Sequence, residues 1–288
     1  MATTTTTAAA AAVSNRVSEE KGQRSPFAAS HLAASKVGDE WRRLIETDGA
    51  AYGRTPISSA KIMAMSRSQY VEPIVAATQP NDWVLEAGCG SGAISLALAL
   101  RRRRVMSLDF SDAALNNLAC NRDRLCGEIA APLVVEPLRG DLERLPFAND
   151  AFAAVVNEGV VEHWLDRDER RAVLAEMARV TRPGGVVAVY VPNGRHPLVR
   201  WWERTRYPGY ASSVAWHKYG WRDLSDDLTA AGLCNVRVDG LSPYSTIAIW
   251  PHWWILRALA GLARRLLPEP RWLRLRCGFN LMAIGEKR

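Results

Sequence analysis

From Trp83 onward, short β-rich runs alternate with helical stretches, and this alternation limits the possible folds more than any other feature of the sequence. The predicted strands are 83–87, 105–109, 133–135, 151–157 and 186–191. The predicted helices are 93–100, 111–125 with Ser111 as N-cap, and 166–179, which ends before Pro183-Gly184-Gly185. Strands that alternate with helices form a parallel sheet with right-handed crossovers. We therefore expect an α/β protein with a doubly wound, mostly parallel sheet.

The remaining sequence divides into a tail, a cap and a C-terminal region. Residues 1–35 open with runs of Thr and Ala and have no periodic apolar face, so a disordered tail is predicted. Residues 36–288 are predicted to be one domain: cap helices over 36–80, a cofactor-binding core over 81–193, and lid and last strands over 194–288. That last region includes a predicted helix at 223–231 and strands at 236–239 and 280–285.

The composition is that of an ordinary globular protein, with 48% hydrophobic and 23% charged residues. Five cysteines without a C-x-x-C pair argue against a disulfide framework. No apolar run reaches the roughly 18 residues of a membrane-spanning helix, and the N-terminus lacks a secretory apolar core. We expect a cytoplasmic location; an organelle transit peptide is the less favoured alternative.

The net charge of +7 is concentrated near the C-terminus, because residues 195–288 carry 15 Lys or Arg against 7 Asp or Glu. Such a distribution is compatible with a phosphate-bearing ligand, an anionic membrane or a nucleic acid. Charge alone does not choose among these partners.

A glycine-rich turn follows the first predicted strand. The segment 84–92 reads Val-Leu-Glu-Ala-Gly-Cys-Gly-Ser-Gly and leads directly into a helix. Glycine lets a ligand approach the backbone, and the same spacing occurs in dinucleotide-binding turns. Asp109 ends the second strand, where a carboxylate can bind both hydroxyls of a ribose. The two features together predict a ligand that contains adenosine.

Two further features separate the possible cofactors: Glu86, two residues before the first glycine, and the segment Gly140–Phe147 with the motif Gly-Asp-Leu. With these, residues 80–195 resemble the class I S-adenosylmethionine-dependent methyltransferases, in particular the small-molecule branch of ubiquinone and menaquinone biosynthesis. The resemblance implies a seven-stranded Rossmann-like sheet with an antiparallel last strand and S-adenosylmethionine as cofactor. The implied cofactor-binding residues are Glu86, Gly88, Cys89, Gly90, Asp109, Asp141, Leu142 and Asn157.

Methyl transfer by in-line displacement needs alignment more than a dedicated catalytic group. If the acceptor is a hydroxyl, His163 is the best placed base by sequence, although a core or supporting role is the favoured interpretation of its position. His196 and His217 are alternative bases without an identifiable partner. Glu158, Glu162 and His163 could instead bind a divalent metal, but this spacing is common by chance, and we predict no metal site.

Aromatic residues are enriched between Trp201 and Trp221, where they make up seven of 21 residues. In this fold the segment after the fifth strand covers the acceptor site, so an aromatic lid is predicted; a packed structural lid is the alternative. The expected substrate-side residues are Trp201, Trp202, Tyr210, Trp216 and Tyr219.

Residues 251–268 show an apolar stripe opposite three arginines, with two tryptophans near the start. A basic amphipathic helix of this type can lie in a membrane interface, which would suit a lipid-like acceptor. A capping helix on the substrate side is the favoured interpretation of the same pattern.

The resulting prediction is methyl transfer to a small, apolar or aromatic acceptor such as a phenol, a quinone precursor or a lipid-like compound. Three alternatives stay open: a nicotinamide-dependent oxidoreductase, an RNA methyltransferase, and a cofactor-binding protein without activity. A base-modifying enzyme is disfavoured because Asn157-Glu158-Gly159-Val160 replaces the Asp/Asn-Pro-Pro-aromatic motif. The oligomeric state is not predicted.

Overall fold

The computed structural model describes residues 56–197, 200, 216–243, 262 and 266–288, and these ranges contain seven helices and seven strands. The helices are α1 Ser59–Met65, α2 Glu72–Ala77, α3 Ala93–Leu100, α4 Asp112–Ile129, α5 Arg167–Val180, α6 Trp221–Ala230 and α7 Arg271–Cys277. The strands are β1 Trp83–Ala87, β2 Arg104–Asp109, β3 Val135–Arg139, β4 Phe152–Glu158, β5 Thr181–Pro192, β6 Leu233–Gly240 and β7 Asn280–Lys287. The predicted tail, the first part of the predicted cap and most of the predicted amphipathic helix 251–268 lie outside the described residues.

The strands form one sheet in the order β3-β2-β1-β4-β5-β7-β6. Neighbours among β1 to β5 pair in parallel, whereas β7 is antiparallel to both β5 and β6. This arrangement confirms the predicted seven-stranded, doubly wound sheet with an antiparallel last strand. The strand order reverses between β1 and β4, and ligands of such sheets bind at the carboxyl ends of the strands beside this point.

The sheet is covered on both faces, which explains the nearly continuous apolar sequence of its central strands. Side chains alternate along β1, so that Leu85 belongs to one buried cluster and Val84 to the other. Helices α3 and α4 contribute to the cluster around Val84, and α5 and α6 contribute to the cluster around Leu85. The carboxyl ends of the strands are thereby held between two packed layers.

The first strand and the first crossover helix match their predicted bounds, and Ser111 caps α4 by accepting a hydrogen bond from the N–H of Ala114 at 3.3 Å. The prediction was wrong at Pro183–Gly185, which lies within β5 instead of before it. Strand β3 extends through Pro137, whereas the prediction stopped at Val135. A proline is tolerated there because β3 is an edge strand.

None of the helices within the described ranges has both the length and the apolar character required to cross a bilayer.

Candidate active site

A cavity of about 400 Å³ opens at the carboxyl ends of the central strands. Its walls come from the β1–α3 turn, the end of β2, the loops after β3 and β4, and the region around α1. The residues that line it include Ile57, Lys61, Met65, Tyr70, Glu86, Gly88, Cys89, Gly90, Asp109, Phe110, Asp141, Leu142, Glu158, His163 and Trp164. The structure therefore brings together seven of the eight residues expected to bind the cofactor.

The glycine turn adopts backbone conformations with positive φ, which favour glycine. Gly88 has φ +84°, and a Cβ atom there would lie 2.6 Å from Cγ2 of Val160, so a larger residue would be strained and would clash. Gly90 has φ +49°, but a Cβ atom there would meet no atom within 4 Å. The backbone is thus exposed at Gly90, where a ligand can approach it closely.

Asp109 links the end of β2 to this turn. Its Oδ2 accepts a hydrogen bond from the N–H of Gly90 at 2.8 Å, and its Oδ1 accepts one from the N–H of Ser111 at 2.9 Å. The side chain is buried but lines the cavity, and burial raises the pKa of its carboxyl. Each carboxylate oxygen has a second lone pair, so Asp109 can hold the turn and still accept hydrogen bonds from a ligand.

Glu86 reaches the cavity from β1 and is held from behind by α3. One carboxyl oxygen accepts hydrogen bonds from the N–H of Ser95, at 2.8 Å, and from its hydroxyl, which also contacts the hydroxyl of Ser107. Burial raises the pKa of Glu86 to about 8, against the opposing effect of the Ser95 hydrogen bonds. A cation bound beside Glu86 would stabilise the ionised carboxylate.

The loop after β3 provides the third wall. The carboxylate of Asp141 accepts a hydrogen bond from the N–H of Glu143 at 3.0 Å. The backbone of Asp141 forms an isolated antiparallel β-bridge with that of Arg144. The side chain of Leu142 is buried. Both residues line the cavity beside Phe110. A carboxylate flanked by two apolar side chains suits a planar base that carries an amino group.

Asn157 is placed differently from the expectation, because it is completely buried and is absent from the cavity wall. Its Nδ2 donates to the carbonyl of Ala87 at 2.7 Å, and its Oδ1 accepts from the N–H of Val161 at 3.2 Å. Asn157 therefore joins the turn after β1 to the loop after β4. The next residue, Glu158, lines the cavity instead.

His163 lines the cavity as expected, at the end of the short 3-10 helix Val161–His163. Glu158 lines the same cavity, and burial raises the pKa of its carboxyl, with Lys61 opposing the shift. Glu162 is buried outside the cavity wall. Within the described ranges, no group of three His, Cys, Asp or Glu side chains is arranged to hold a metal ion.

The expected substrate-side aromatic residues are only partly described. Trp201, Trp202 and Tyr210 lie outside the described residues. Trp216 is half-buried and does not line the cavity. Tyr219 is completely buried in the core, where its hydroxyl donates to Asp227 at 3.3 Å. Tyr219 thus corrects the expectation: it packs between α5 and α6, and a high local aromatic content does not distinguish a lid from a core.

The two alternative bases also have positions away from the cavity. His196 is buried, and its Nε2 lies 2.9 Å from the carbonyl of Cys277. The backbone N–H of His217 donates to the carbonyl of Glu162 at 2.6 Å, and its ring contacts Tyr219 edge to face. Both histidines connect segments of the fold.

Several lining residues were not predicted from the sequence. Ile57, Met65 and Tyr70 reach the cavity from the cap, and Trp164 reaches it from the loop after β4. The hydroxyl of Tyr70 accepts a hydrogen bond from Nδ2 of Asn280 at 2.8 Å. Phe110 could have been found from its position directly after Asp109. The cap residues have no such local signal.

The described part of the cavity wall is acidic, with Glu86, Asp109, Asp141 and Glu158 against Lys61 as the basic residue. Carboxylates that are withdrawn from water favour a positively charged ligand and disfavour phosphates. An acid-lined glycine turn therefore suits a cationic adenosine derivative better than an anionic dinucleotide.

Residues 85–189 match the family model described as a methyltransferase domain. This segment of the chain is therefore a methyltransferase domain of the S-adenosylmethionine-dependent type. Its cofactor is S-adenosylmethionine, whose sulfonium is the cationic adenosine derivative that the acidic wall suits. The matched segment includes the glycine turn, Asp109 and the loop after β4.

Curated relatives agree with this assignment over part of the chain. A probable S-adenosylmethionine-dependent methyltransferase of Mycolicibacterium smegmatis is 36% identical over 110 residues, which is 38% of each chain. Demethylmenaquinone methyltransferase of Mycobacterium marinum is 36% identical over 110 residues, which is 38% of this chain and 41% of that protein. The aligned part thus spans well under half the length of these relatives.

The fold is also found among solved structures. Geranyl diphosphate C-methyltransferase from Streptomyces coelicolor, solved with S-adenosylhomocysteine, superposes with a TM-score of 0.56 at 14% identity. The superposition covers 89% of this chain and 100% of that chain. The similarity confirms the fold beyond the segment that the family model matches.

Two buried glutamates make the stability of the protein depend on pH. Burial raises the pKa of both Glu86 and Glu162 to about 8, and Oε2 of Glu162 has no hydrogen-bond partner within the described part of the chain. Because these pKa values lie above the ordinary value of 4.5, folding favours the protonated acids. The resulting stability is complete below the ordinary pKa and is lost as the pH rises to about 8.

We expect the free energy of unfolding to fall between about pH 5 and 8, by at most about 1.4 kcal/mol per pH unit for each acid. Glu162→Gln should remove the contribution of Glu162 to this slope, up to about 1.4 kcal/mol per pH unit, and leave the contributions of the other buried acids, without altering the cavity wall. Glu128→Gln, at an exposed position on α4, is the matched control and should keep the slope. Urea unfolding at a series of pH values measures the effect, and an unchanged slope in Glu162→Gln would contradict it.

Proposed function

We propose that the protein transfers the methyl group of S-adenosylmethionine to a small acceptor that is apolar or aromatic. The observation that carries this proposal is the acid-lined cavity at the glycine turn, to which the cap adds apolar and aromatic side chains. The cofactor supplies an electrophilic sulfonium methyl group, so the protein contributes binding, alignment and exclusion of water.

Three walls of the cavity would bind different parts of the cofactor. Asp109 would accept hydrogen bonds from the ribose hydroxyls while it anchors the N–H of Gly90. Asp141 and Leu142 would hold the adenine, and the exposed backbone at Gly90 would lie against the amino-acid part. Glu86 would balance the positive charge, supported by Ser95 from behind.

The acceptor half is supplied by the cap and by the loop after β4. Ile57, Met65 and Trp164 give it an apolar surface, and Tyr70 adds an aromatic ring next to the ring of Tyr190, at 4.9 Å between centroids. This surface suits a flat or hydrocarbon-like molecule better than a highly charged one.

Two groups in the cavity can receive a proton from a hydroxyl acceptor. Glu158 and His163 both line the wall after β4. Glu158 shares the cavity wall with Tyr70 and Lys61 and interacts electrostatically with both, which supports its assignment to the acceptor half. We propose Glu158 as the proton acceptor, with His163 as the alternative. An acceptor without an acidic proton would need neither.

The proposal is tested by incubating the purified protein with S-adenosylmethionine labelled on the methyl group and a panel of phenols, quinone precursors, prenyl lipids and tRNA. We expect label in a phenolic or lipid-like compound and a reduction of about 100-fold or more in Glu158→Gln if the acceptor is a hydroxyl. Label in tRNA instead would overturn the small-molecule acceptor. Cofactor binding without transfer to any probe would favour the inactive binding protein.

A further inference from the structure

The described residues near the C-terminus carry a surface of exposed apolar side chains. Eight large apolar side chains are exposed within the described ranges, and four of them fall between residues 262 and 272. They are Leu262, Leu266, Leu267 and Trp272, with exposed fractions of 53%, 69%, 56% and 65%. Exposed apolar residues normally occur singly, so this concentration points to an interaction site.

Basic side chains continue the same surface along α7. The helix has no buried residue, and Arg271, Trp272 and Arg276 are its exposed positions. Trp272 and Arg276 are four residues apart and therefore share one face. Arg274 is different, because it pairs with Asp239 on β6.

The sequence that carries this surface is basic. Residues 251–288 include eight Lys or Arg and two Glu, Glu269 and Glu286. Glu269 accepts a hydrogen bond from the hydroxyl of Ser242 at 2.6 Å, and its backbone carbonyl accepts from Arg274. Arg271 and Arg276 are exposed, and although the guanidinium of Arg271 donates to the carbonyl of Val238 at 2.8 Å, no carboxylate pairs with either arginine within the described residues. Leucine and tryptophan beside such arginines are complementary to an anionic lipid interface, which takes up apolar side chains and attracts cations.

The surface is connected to the wall of the active-site cavity. Glu269 is bound to Ser242, and the N–H of Ser242 donates to Oε1 of Gln69 at 2.9 Å. Gln69 directly precedes Tyr70, which lines the acceptor half. A membrane contact at this surface would therefore affect the part of the cavity wall, around Tyr70, that we assign to the acceptor.

We propose that the surface formed by Leu262, Leu266, Leu267, Arg271, Trp272 and Arg276 docks on an anionic lipid membrane. The inference concerns where the protein acts and does not depend on the proposed methyl acceptor. The apolar side chains enter the interface and the arginines lie at the level of the headgroups.

The test is flotation of the full-length protein with vesicles of phosphatidylcholine alone or mixed with phosphatidylglycerol, at low and high salt. We expect binding to the anionic vesicles, weakened by salt. Trp272→Ala and the double variant Leu266→Ser with Leu267→Ser should lose most of it, and Arg276→Glu should reduce the partition coefficient about fivefold or more. Leu165→Ser and Arg67→Glu change exposed residues elsewhere and should bind like the wild type.

Three results would overturn the proposal. The first is a wild-type protein that binds neither kind of vesicle. The second is equal vesicle binding by the wild type and the surface variants, which would locate the contact elsewhere. The third is a wild-type dimer that becomes monomeric in the Leu266→Ser, Leu267→Ser variant without any vesicle binding, which would assign the surface to a second copy of the chain. Circular dichroism of each variant shows that it is folded.

Discussion

Replacing Asp109 by alanine should weaken the binding of S-adenosylhomocysteine by roughly 10- to 150-fold for each charged hydrogen bond lost to the ribose. Asp109 is positioned for this because its carboxylate lines the cavity and simultaneously anchors Gly90 and Ser111. The loss should therefore exceed the effect of one ligand contact, since the glycine turn also loses its support. Isothermal titration calorimetry measures the dissociation constant directly.

Two variants control for this result. Asp109→Asn keeps the shape and one acceptor oxygen, so its affinity should fall between those of the wild type and Asp109→Ala. Asp112→Asn changes an exposed carboxylate at the start of α4 that pairs with Arg139 at the surface, and it should bind normally. Unchanged affinity in a folded Asp109→Ala variant would contradict the assignment of Asp109 to the cofactor.

Replacing Asp227 by asparagine should have the largest effect on stability. Its side chain is 1% exposed, and three arginines surround it: Arg171 at 3.0 Å, Arg167 at 3.2 Å and Arg170 at 3.6 Å. Arg170 is itself buried, so removing the carboxylate leaves a buried cation without its partner. Breaking a buried ion pair from one side costs about 3–5 kcal/mol.

Urea unfolding should show this loss in the free energy of unfolding of Asp227→Asn. Asp226→Asn is the matched control, because its side chain is exposed on the same helix and its replacement should change stability by about 0.5 kcal/mol or less. Where the variant still folds, its affinity for S-adenosylhomocysteine should equal that of the wild type, since α5 and α6 do not form the cavity wall. Equal stability of both variants would show that Asp227 does not hold these helices together.

The cofactor half of the site could be predicted because its signals are local. A strand, a turn with glycines at Gly88 and Gly90, and a helix follow one another directly, and Asp109 is fixed to the same edge by the parallel pairing of β1 and β2. Ser111 caps α4 two residues later through its own side chain. Such features depend on residues that are close in sequence, so they can be recognised without the tertiary structure.

The acceptor half could not be predicted because it depends on packing over long distances. Tyr70 is held by Asn280, which is 210 residues away along the chain. The assignment of Asn157 failed for a different reason: side chains alternate along a strand, so a shift of one residue exchanges a buried position for one that faces the cavity. Glu158 occupies the position that the sequence analysis gave to its neighbour.

Calorimetric titration of the wild-type protein with S-adenosylhomocysteine and S-adenosylmethionine tests most directly whether the cavity binds the methyl donor. NADH and NADPH are the controls. The acid-lined cavity predicts micromolar binding of the two adenosyl compounds and no measurable binding of the dinucleotides, whose phosphates the carboxylates repel. Binding of NADH or NADPH in place of the adenosyl compounds would contradict the central claim that this cavity is a methyl-donor site.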